Sequence, residues 1–241
     1  KLNIYFDASN NVTLYAKAGQ GFHSNFIQAV MSKDSAANQA IPKSTGFDVG
    51  SNFKVNKKIL CNIALWWTQS EAEYKFVSDD GSFENIGGTR KYGVDFSAKL
   101  QFTGYLWADV NVNYANGNLM DAPNEENLIP LHPRWNSTAG FTLKLPNSIT
   151  GSLRYRYMGK RPAVEDGSVY SESYFIADAV IRYTKPKYEF GFSAENIFNT
   201  QWAEAQFYDE SRLKNESEPV MDFHVTPGTP LYLKASISYF F

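Results

Sequence analysis

The chain has 241 residues, with 23 lysines and arginines against 25 aspartates and glutamates for a net charge of −2. That balance excludes a strongly basic nucleic-acid binder, and 43% hydrophobic residues with so little net charge exclude a disordered chain. A single cysteine excludes an internal disulfide framework and a cysteine-based metal site. Alternation with a period of two then predicts eleven strands, at about 1–7, 12–21, 45–54, 59–75, 89–102, 105–115, 134–145, 149–158, 172–183, 187–198 and 230–241. The 33 phenylalanines and tyrosines against 15 leucines agree with a β-rich protein.

The chain opens inside a strand, as the remainder of something longer would. Tyr92, Val94, Phe96, Ala98, Leu100 and Phe102 alternate with Gly93, Asp95, Ser97, Lys99 and Gln101. In 149–158, Ile149, Gly151, Leu153, Tyr155 and Tyr157 alternate with Thr150, Ser152, Arg154 and Arg156. The last strand sets Leu231, Leu233, Ala235, Ile237, Tyr239 and Phe241 on one face. Many of these strands reach the roughly 9–11 residues of a tilted membrane strand. No stretch approaches the ~18 apolar residues of a spanning helix. The mean hydropathy of −0.39 is what two opposite faces average to in a membrane barrel.

Connections alternate between short and long. The short ones are Ala8–Asn11, Val55–Lys58, Thr103–Gly104, Pro146–Ser148 and Thr184–Pro186; the long ones are 22–44, 76–88, 116–133, 159–171 and 199–229. Short turns on one side and long loops on the other are the pattern of an outer-membrane barrel. Tyr105, Trp107, Tyr188, Tyr239 and Phe241 would form an aromatic girdle on the short-turn side, and Tyr114, Trp135, Tyr157 and Tyr174 one on the long-loop side. Cross-strand packing is the other reading of these rings.

Four segments then carry a resemblance. Val12–Asn25 (VTLYAKAGQGFHSN), Pro42–Gly50 (PKSTGFDVG), Gly191–Trp202 (GFSAENIFNTQW) and Pro227–Phe241 (PGTPLYLKASISYFF) resemble, in this order, barrel segments of the TonB-dependent outer-membrane receptors. Lys43 and Phe47 stand where that family usually has Glu and Tyr. The resemblance implies an all-β fold, a transmembrane antiparallel barrel of roughly 22 strands around a plug. Residues 1–241 would be its C-terminal half, the last eleven strands, with signal peptide, plug and the first half of the barrel missing. It further implies import of a scarce large nutrient such as a ferric siderophore across the outer membrane of a Gram-negative bacterium. Implied partners are the outer-membrane lipid, the TonB complex acting through the missing plug, the barrel assembly machinery and an iron chelate. Tyr239 and Phe241 would be the C-terminal assembly signal.

Catalytic and phosphate-binding motifs are lacking, so neither an enzyme nor a resident cofactor or metal is expected. Cys61 shares the apolar register with Ile63, Leu65 and Trp67. Lumenal charges would be Lys99, Lys144, Arg154, Arg156 and Arg182 with Asp95, Asp109, Asp178, Glu189 and Glu195; they either pair with one another, the plug and water, or guide an anionic ligand. Ligand contacts are expected on the long loops: His23 and Phe26 in the first, Trp202, Phe207, Tyr208, Arg212, Phe223 and His224 in the last. Surface packing competes with contact for each. A passive porin or adhesion barrel without energy coupling, and a soluble β-sandwich, are the alternatives.

Overall fold

The structure, a computed structural model, describes residues 1–22, 41–77 and 82–241. Eleven strands form one antiparallel sheet in sequence order: β1 (Leu2–Ser9), β2 (Val12–Phe22), β3 (Lys43–Asn56), β4 (Ile59–Val77), β5 (Ser82–Gln101), β6 (Leu106–Leu119), β7 (Trp135–Lys144), β8 (Ile149–Met158), β11 (Tyr174–Thr184), β12 (Tyr188–Glu195) and β15 (Tyr232–Tyr239). The sheet is open, with β1 and β15 at its edges. Two small hairpins stand apart from it, β9 (Arg161–Pro162) with β10 (Tyr170–Ser171), and β13 (Ala203–Ser211) with β14 (Val220–Pro227).

All eleven predicted strands are present, and the differences lie at the long connections. Within the predicted loop 76–88, the described residues 76–77 and 82–88 belong to strands, because β4 and β5 continue their ladder out to Val77↔Ser82. β6 likewise runs on to Leu119, and the predicted loops 159–171 and 199–229 each contain a hairpin. These extensions carry mixed polar and apolar residues on both faces, so alternation had no contrast to display.

Register explains why the faces separate. Across β4 to β8, one set of rows reads Cys61↔Ala98↔Val110↔Ala139↔Tyr155 and Ile63↔Phe96↔Val112. The intervening rows read Asn62↔Ser97↔Asn111↔Thr138↔Arg156. In the large sheet, register shifts occur beside short turns at Asp7/Ser9 and Lys54/Asn56, and between Ser70 and Tyr74 in the outer half of β4. A one-residue slip elsewhere would turn the apolar set onto the polar face.

Among the described residues, nothing covers the apolar face. Leu65, Leu153, Ile181, Phe192, Leu233 and Ile237 are all exposed, and the main contacts of the large sheet run between neighbouring strands. A sandwich would bury this face against a second sheet, so the soluble alternative fails. Ten residues at ~3.3 Å each, tilted by ~40°, span about 25 Å, the height of a lipid-facing band. Aromatic pairs rim the band. Tyr114–Trp135 (4.7 Å), Tyr155–Phe175 (5.0 Å) and Phe47–Trp67 (5.5 Å) lie toward the long-loop end. Tyr188–Phe190 (5.4 Å) and Tyr239–Phe241 (5.3 Å) lie toward the short turns. Trp107 and Tyr174 do not belong to these girdles. Their registers, Trp107↔Thr142 and Tyr174↔Met158, put them on the polar face.

On that polar face, glycines make room for flat side chains. A Cβ at Gly93 would lie 2.6 Å from the Trp66 ring, and one at Gly140 would lie 2.8 Å from Cγ of Arg154. Trp66 can therefore lie across β5 and donate to Asp95 Oδ1 at 3.2 Å. Arg154 likewise crosses β7 to hold Asp109 through two bonds of 2.9 and 2.6 Å.

At the long-loop end, segment 120–134 folds back over the polar face of β6. A Cβ on Gly117 would meet Ile129 at 2.9 Å and His132 at 3.1 Å. The segment is tied to 159–173 by Leu128 N to Glu165 O (3.0 Å) and Leu131 N to Pro162 O (2.6 Å). Ala72, Thr89, Leu119, Ile129, Ala163 and Ser171 are buried here, making a small core above the wall.

Candidate functional site: a cleft between two hairpins

The segment after β12 is anchored by one residue. Asn196 is 2% exposed and has a φ of 48°, a left-handed conformation that asparagine tolerates better than most residues. Its backbone N–H donates to Asp178 Oδ1 at 2.8 Å. Its side-chain amide donates to the carbonyls of Thr200 (2.8 Å) and Thr229 (3.0 Å), and its Oδ1 accepts from Thr200 N at 2.9 Å. Asn199, also at positive φ (51°), accepts from Leu231 N at 3.0 Å. Two asparagines thus hold together both ends of the stretch that contains β13 and β14.

Above this staple lies a cleft of about 650 Å³, walled by Arg161, Glu172, Tyr174, Trp202, Gln206, Val225 and their neighbours, with Glu172 held by Lys160 at 3.1 Å. Trp202 is fixed on several sides. Its Nε1 donates to Thr229 O at 3.2 Å, and its ring lies 5.2 Å from that of Tyr174. The Arg156 guanidinium sits 5.0 Å from its centroid, and Gly228 lies against it so closely that no side chain would fit there. Such a cation–aromatic stack is worth about 0.5–2 kcal/mol.

The opposite wall is polar. Buried Ser171 Oγ receives Arg161 Nη2 at 2.9 Å and also the Gln206 amide, so one hydroxyl ties β10 to β9 and to β13. Arg161 Nε is buried without a partner. Burial also disfavours the charged form of Arg161 and pulls its pKa below the ordinary value. A half-buried guanidinium at the wall of a cleft suits an anionic group through its remaining Nη donors. An aromatic pair beside it offers a flat apolar surface.

Of the ligand candidates read from the sequence, only Trp202 is in this cleft. Tyr208 and Phe223 form a ring pair at 5.0 Å across β13 and β14, in line with Gln206 and Val225. Phe207 and His224 pair with each other on the other side of that hairpin. His224 Nε2 is buried without a hydrogen-bond partner. Arg212 is spent on the tip of the hairpin, donating to Glu216 O at 3.0 Å. His23 and Phe26 lie outside the described residues. Arg161, Tyr174, Gln206, Ser171 and Asn196 were missed, since nothing local to each marks it; the Asn196–Asn199 pair within a strand-ending segment is the only signal that could have been followed.

The lumenal charges are divided. Arg154 pairs with Asp109, not with its register neighbour Asp178. Asp178 is occupied by Asn196. Arg156 serves Trp202. Arg182 lies between Thr150 and Gly191, and Glu195 opposite Tyr232. Segment 120–134 adds His132, whose Nε2 is buried without a partner. Burial and the Lys91 ammonium lower its pKa, partly offset by Glu73. Glu73 is itself held by Lys91 Nζ at 2.7 Å and Thr89 Oγ1 at 2.6 Å.

With this geometry, known proteins can be compared. Among solved structures, the ferric-catecholate import receptor Fiu from K12 E. coli superposes with a TM-score of 0.69 at 18% identity, covering 99% of this chain and 34% of that one. The ferric yersiniabactin uptake receptor FyuA from Yersinia pestis gives 0.71 at 14%, covering 99% and 37%. The copper transporter OprC gives 0.72 at 13%, covering 98% and 39%. The chain therefore spans a little over a third of the length of these proteins, and at such identities they share its fold. No curated sequence matches it. A family model described as "TonB dependent receptor-like, beta-barrel" matches residues 1–197. An open wall of antiparallel strands with an uncovered apolar face, matched over most of its length by that model, belongs to the β-barrel of the TonB-dependent receptors.

Proposed function

We propose that the chain supplies wall and loops to an outer-membrane receptor that captures an anionic ferric chelate of the siderophore kind and imports it with energy from the TonB complex. The carrying observation is the cleft that Arg161 lines together with Trp202 and Tyr174. Chelates of ferric iron present carboxylate, catecholate or hydroxamate oxygens on compact, partly flat bodies. A guanidinium suits the first property and stacked rings the second. Of the three similar proteins, the names of two concern ferric iron and favour the same cargo, while the third is a copper transporter.

In this reading residues 1–241 are the last eleven strands of a barrel of about 22. β15 ends at the short-turn rim, on the periplasmic side. Tyr239 and Phe241 serve the assembly machinery, and the apolar face meets outer-membrane lipid in a Gram-negative bacterium. Signal peptide, plug and the other strands belong to the same receptor. The test is growth of a receptor-deficient strain supplied with the full-length protein, across a panel of iron chelates. Rescue by one class, lost without TonB and reduced at least about tenfold by Trp202→Ala or Arg161→Gln, is expected. Rescue independent of TonB would mean a porin. Rescue unaffected by both substitutions would remove the cleft from ligand capture.

A further inference from the structure

A groove of about 280 Å³ lies on the apolar face near the short-turn end of β8, β11 and β12. Ile149, Ile181, Tyr183, Phe190 and Phe192 wall it. Arg182 and Gly191, whose register turns their side chains to the polar face, supply its floor. Gly151, opposite Ile181 on β8, leaves that flank low, since an added Cβ would meet only the Val180 carbonyl at 3.4 Å. The end of the groove toward the turn is cationic. Lys185 Nζ stands 5.1 Å from the Tyr183 ring centroid, so its ammonium is held on the apolar side of the turn. Lys187 is exposed in the same turn. Among the described residues, no ion pair involves either lysine. The nearby carboxylate of Glu189 is on the polar face and accepts from Thr184 Oγ1 at 2.7 Å. The Tyr188 ring, 6.4 Å from that of Tyr183, completes an aromatic rim of the kind that sits at headgroup level.

The position of the groove selects its occupant. On this face the surroundings are hydrocarbon, giving way to headgroups at the turn. A peptide in the groove would bring backbone N–H and C=O groups with nothing to pair them. A hydrocarbon chain brings none. Its headgroup would come level with Lys185, where two ammoniums without a carboxylate partner favour net negative charge. A zwitterionic headgroup gains less there, because its own ammonium is repelled. A free phosphate would be drawn by the lysines but would gain nothing from the groove. We propose that the groove and the Lys185–Lys187 turn form a binding site for one anionic glycerophospholipid, with an acyl chain in the groove and the phosphate on Lys185. The inference rests on the barrel reading of the apolar face and not on the identity of the imported chelate.

Native mass spectrometry tests it on the purified full-length receptor in detergent, titrated with phosphatidylglycerol or with phosphatidylethanolamine of the same chains. The first phosphatidylglycerol should bind about fivefold more tightly, roughly the effect of one lysine near an anionic surface. Lys185→Gln/Lys187→Gln should remove that preference. Ile181→Trp, which fills the groove, should weaken binding of both lipids severalfold. Leu65→Trp, on the same face but away from the groove, should leave binding unchanged. Heat-modifiable migration on gels shows that each variant folds, and Ile181→Phe replaces Ile181→Trp if the larger ring prevents it. Equal affinity for the two lipids would overturn the proposal. So would a preference that survives loss of both lysines, an unchanged affinity in the groove-filling variant, or full displacement by inorganic phosphate. Insertion into vesicles is scored separately. A receptor that stays in solution without detergent would overturn the barrel reading itself, whereas an inserted receptor without lipid preference would overturn this site alone.

Discussion

The wall and the cap above its long-loop end are stabilised in opposite ways. In the wall nearly every side chain faces lipid or lumen, and Leu153, Ile181 and Leu233 are 45%, 52% and 56% exposed. Order comes from the backbone ladder that joins all eleven strands and pairs backbone groups that lipid could not satisfy. In the cap, Thr89, Ala163, Ser171 and Asn196 are at most 2% exposed, and segments far apart in sequence are joined through side chains. The wall tolerates change according to face. The cap tolerates it according to partner.

The largest test of that contrast compares neighbouring residues of β8. Leu153→Arg puts a charge in the lipid-facing row with Phe141 and Ala179 and should cost about 2–4 kcal/mol, read as a lowered unfolding midpoint in urea. Ser152→Arg, one residue away on the lumenal face, should cost less than about 1 kcal/mol. Equal costs would mean the faces are misassigned. In the cap, Asn196→Leu removes three side-chain hydrogen bonds and a residue suited to positive φ. A loss of about 2–3 kcal/mol is expected. It should appear as trypsin cleavage after Arg212 or Lys214 while the wall keeps its heat-modifiable migration; loss of both together would show that cap and wall fold as one unit. Ser171→Val takes the shared acceptor from Arg161 and Gln206 and should cost about 1–3 kcal/mol. Hydrogen exchange should quicken in β9, β10 and β13 alone.

The smallest effect is a pH dependence. His132 faces Lys91, Glu73 and Arg134, and its pKa is lowered from 6.5 by burial first and then by Lys91. A depressed folded value means its contribution to docking segment 120–134 is complete above the ordinary imidazole pKa. That contribution is lost as pH falls through the lower folded value. Protease sensitivity of this segment should rise on acidification, and His132→Phe should flatten the response. A segment equally protected at all pH values would rule the coupling out.

How much was legible follows the same division. Alternation is a local property, so Tyr155 and Arg156 announce their faces to any reader, and all eleven strands were found. Trp107 and Tyr174 misled because they are aromatic residues on the polar face, where one stacks under Lys144 and the other against Trp202. β13 and β14 escaped because AEAQFYDES alternates only over Ala203–Phe207, too short a run to stand out within the long connection 199–229. The cleft was missed almost entirely. Arg161 and Gln206 meet only through Ser171, and such a meeting leaves no trace in spacing.

The asparagine staple has a consequence for how such a receptor can change. Because Asn196 and Asn199 clamp the stretch at Thr200, Thr229 and Leu231, the wall meets it only as a closed loop base. What lies between those points can lengthen, shorten or be replaced without altering strand register, since closing a longer loop costs only about 0.6 kcal/mol per doubling. The tip near Lys214 is therefore a natural port for inserted epitopes or new binding loops. A receptor lineage could change cargo there while its barrel stays fixed.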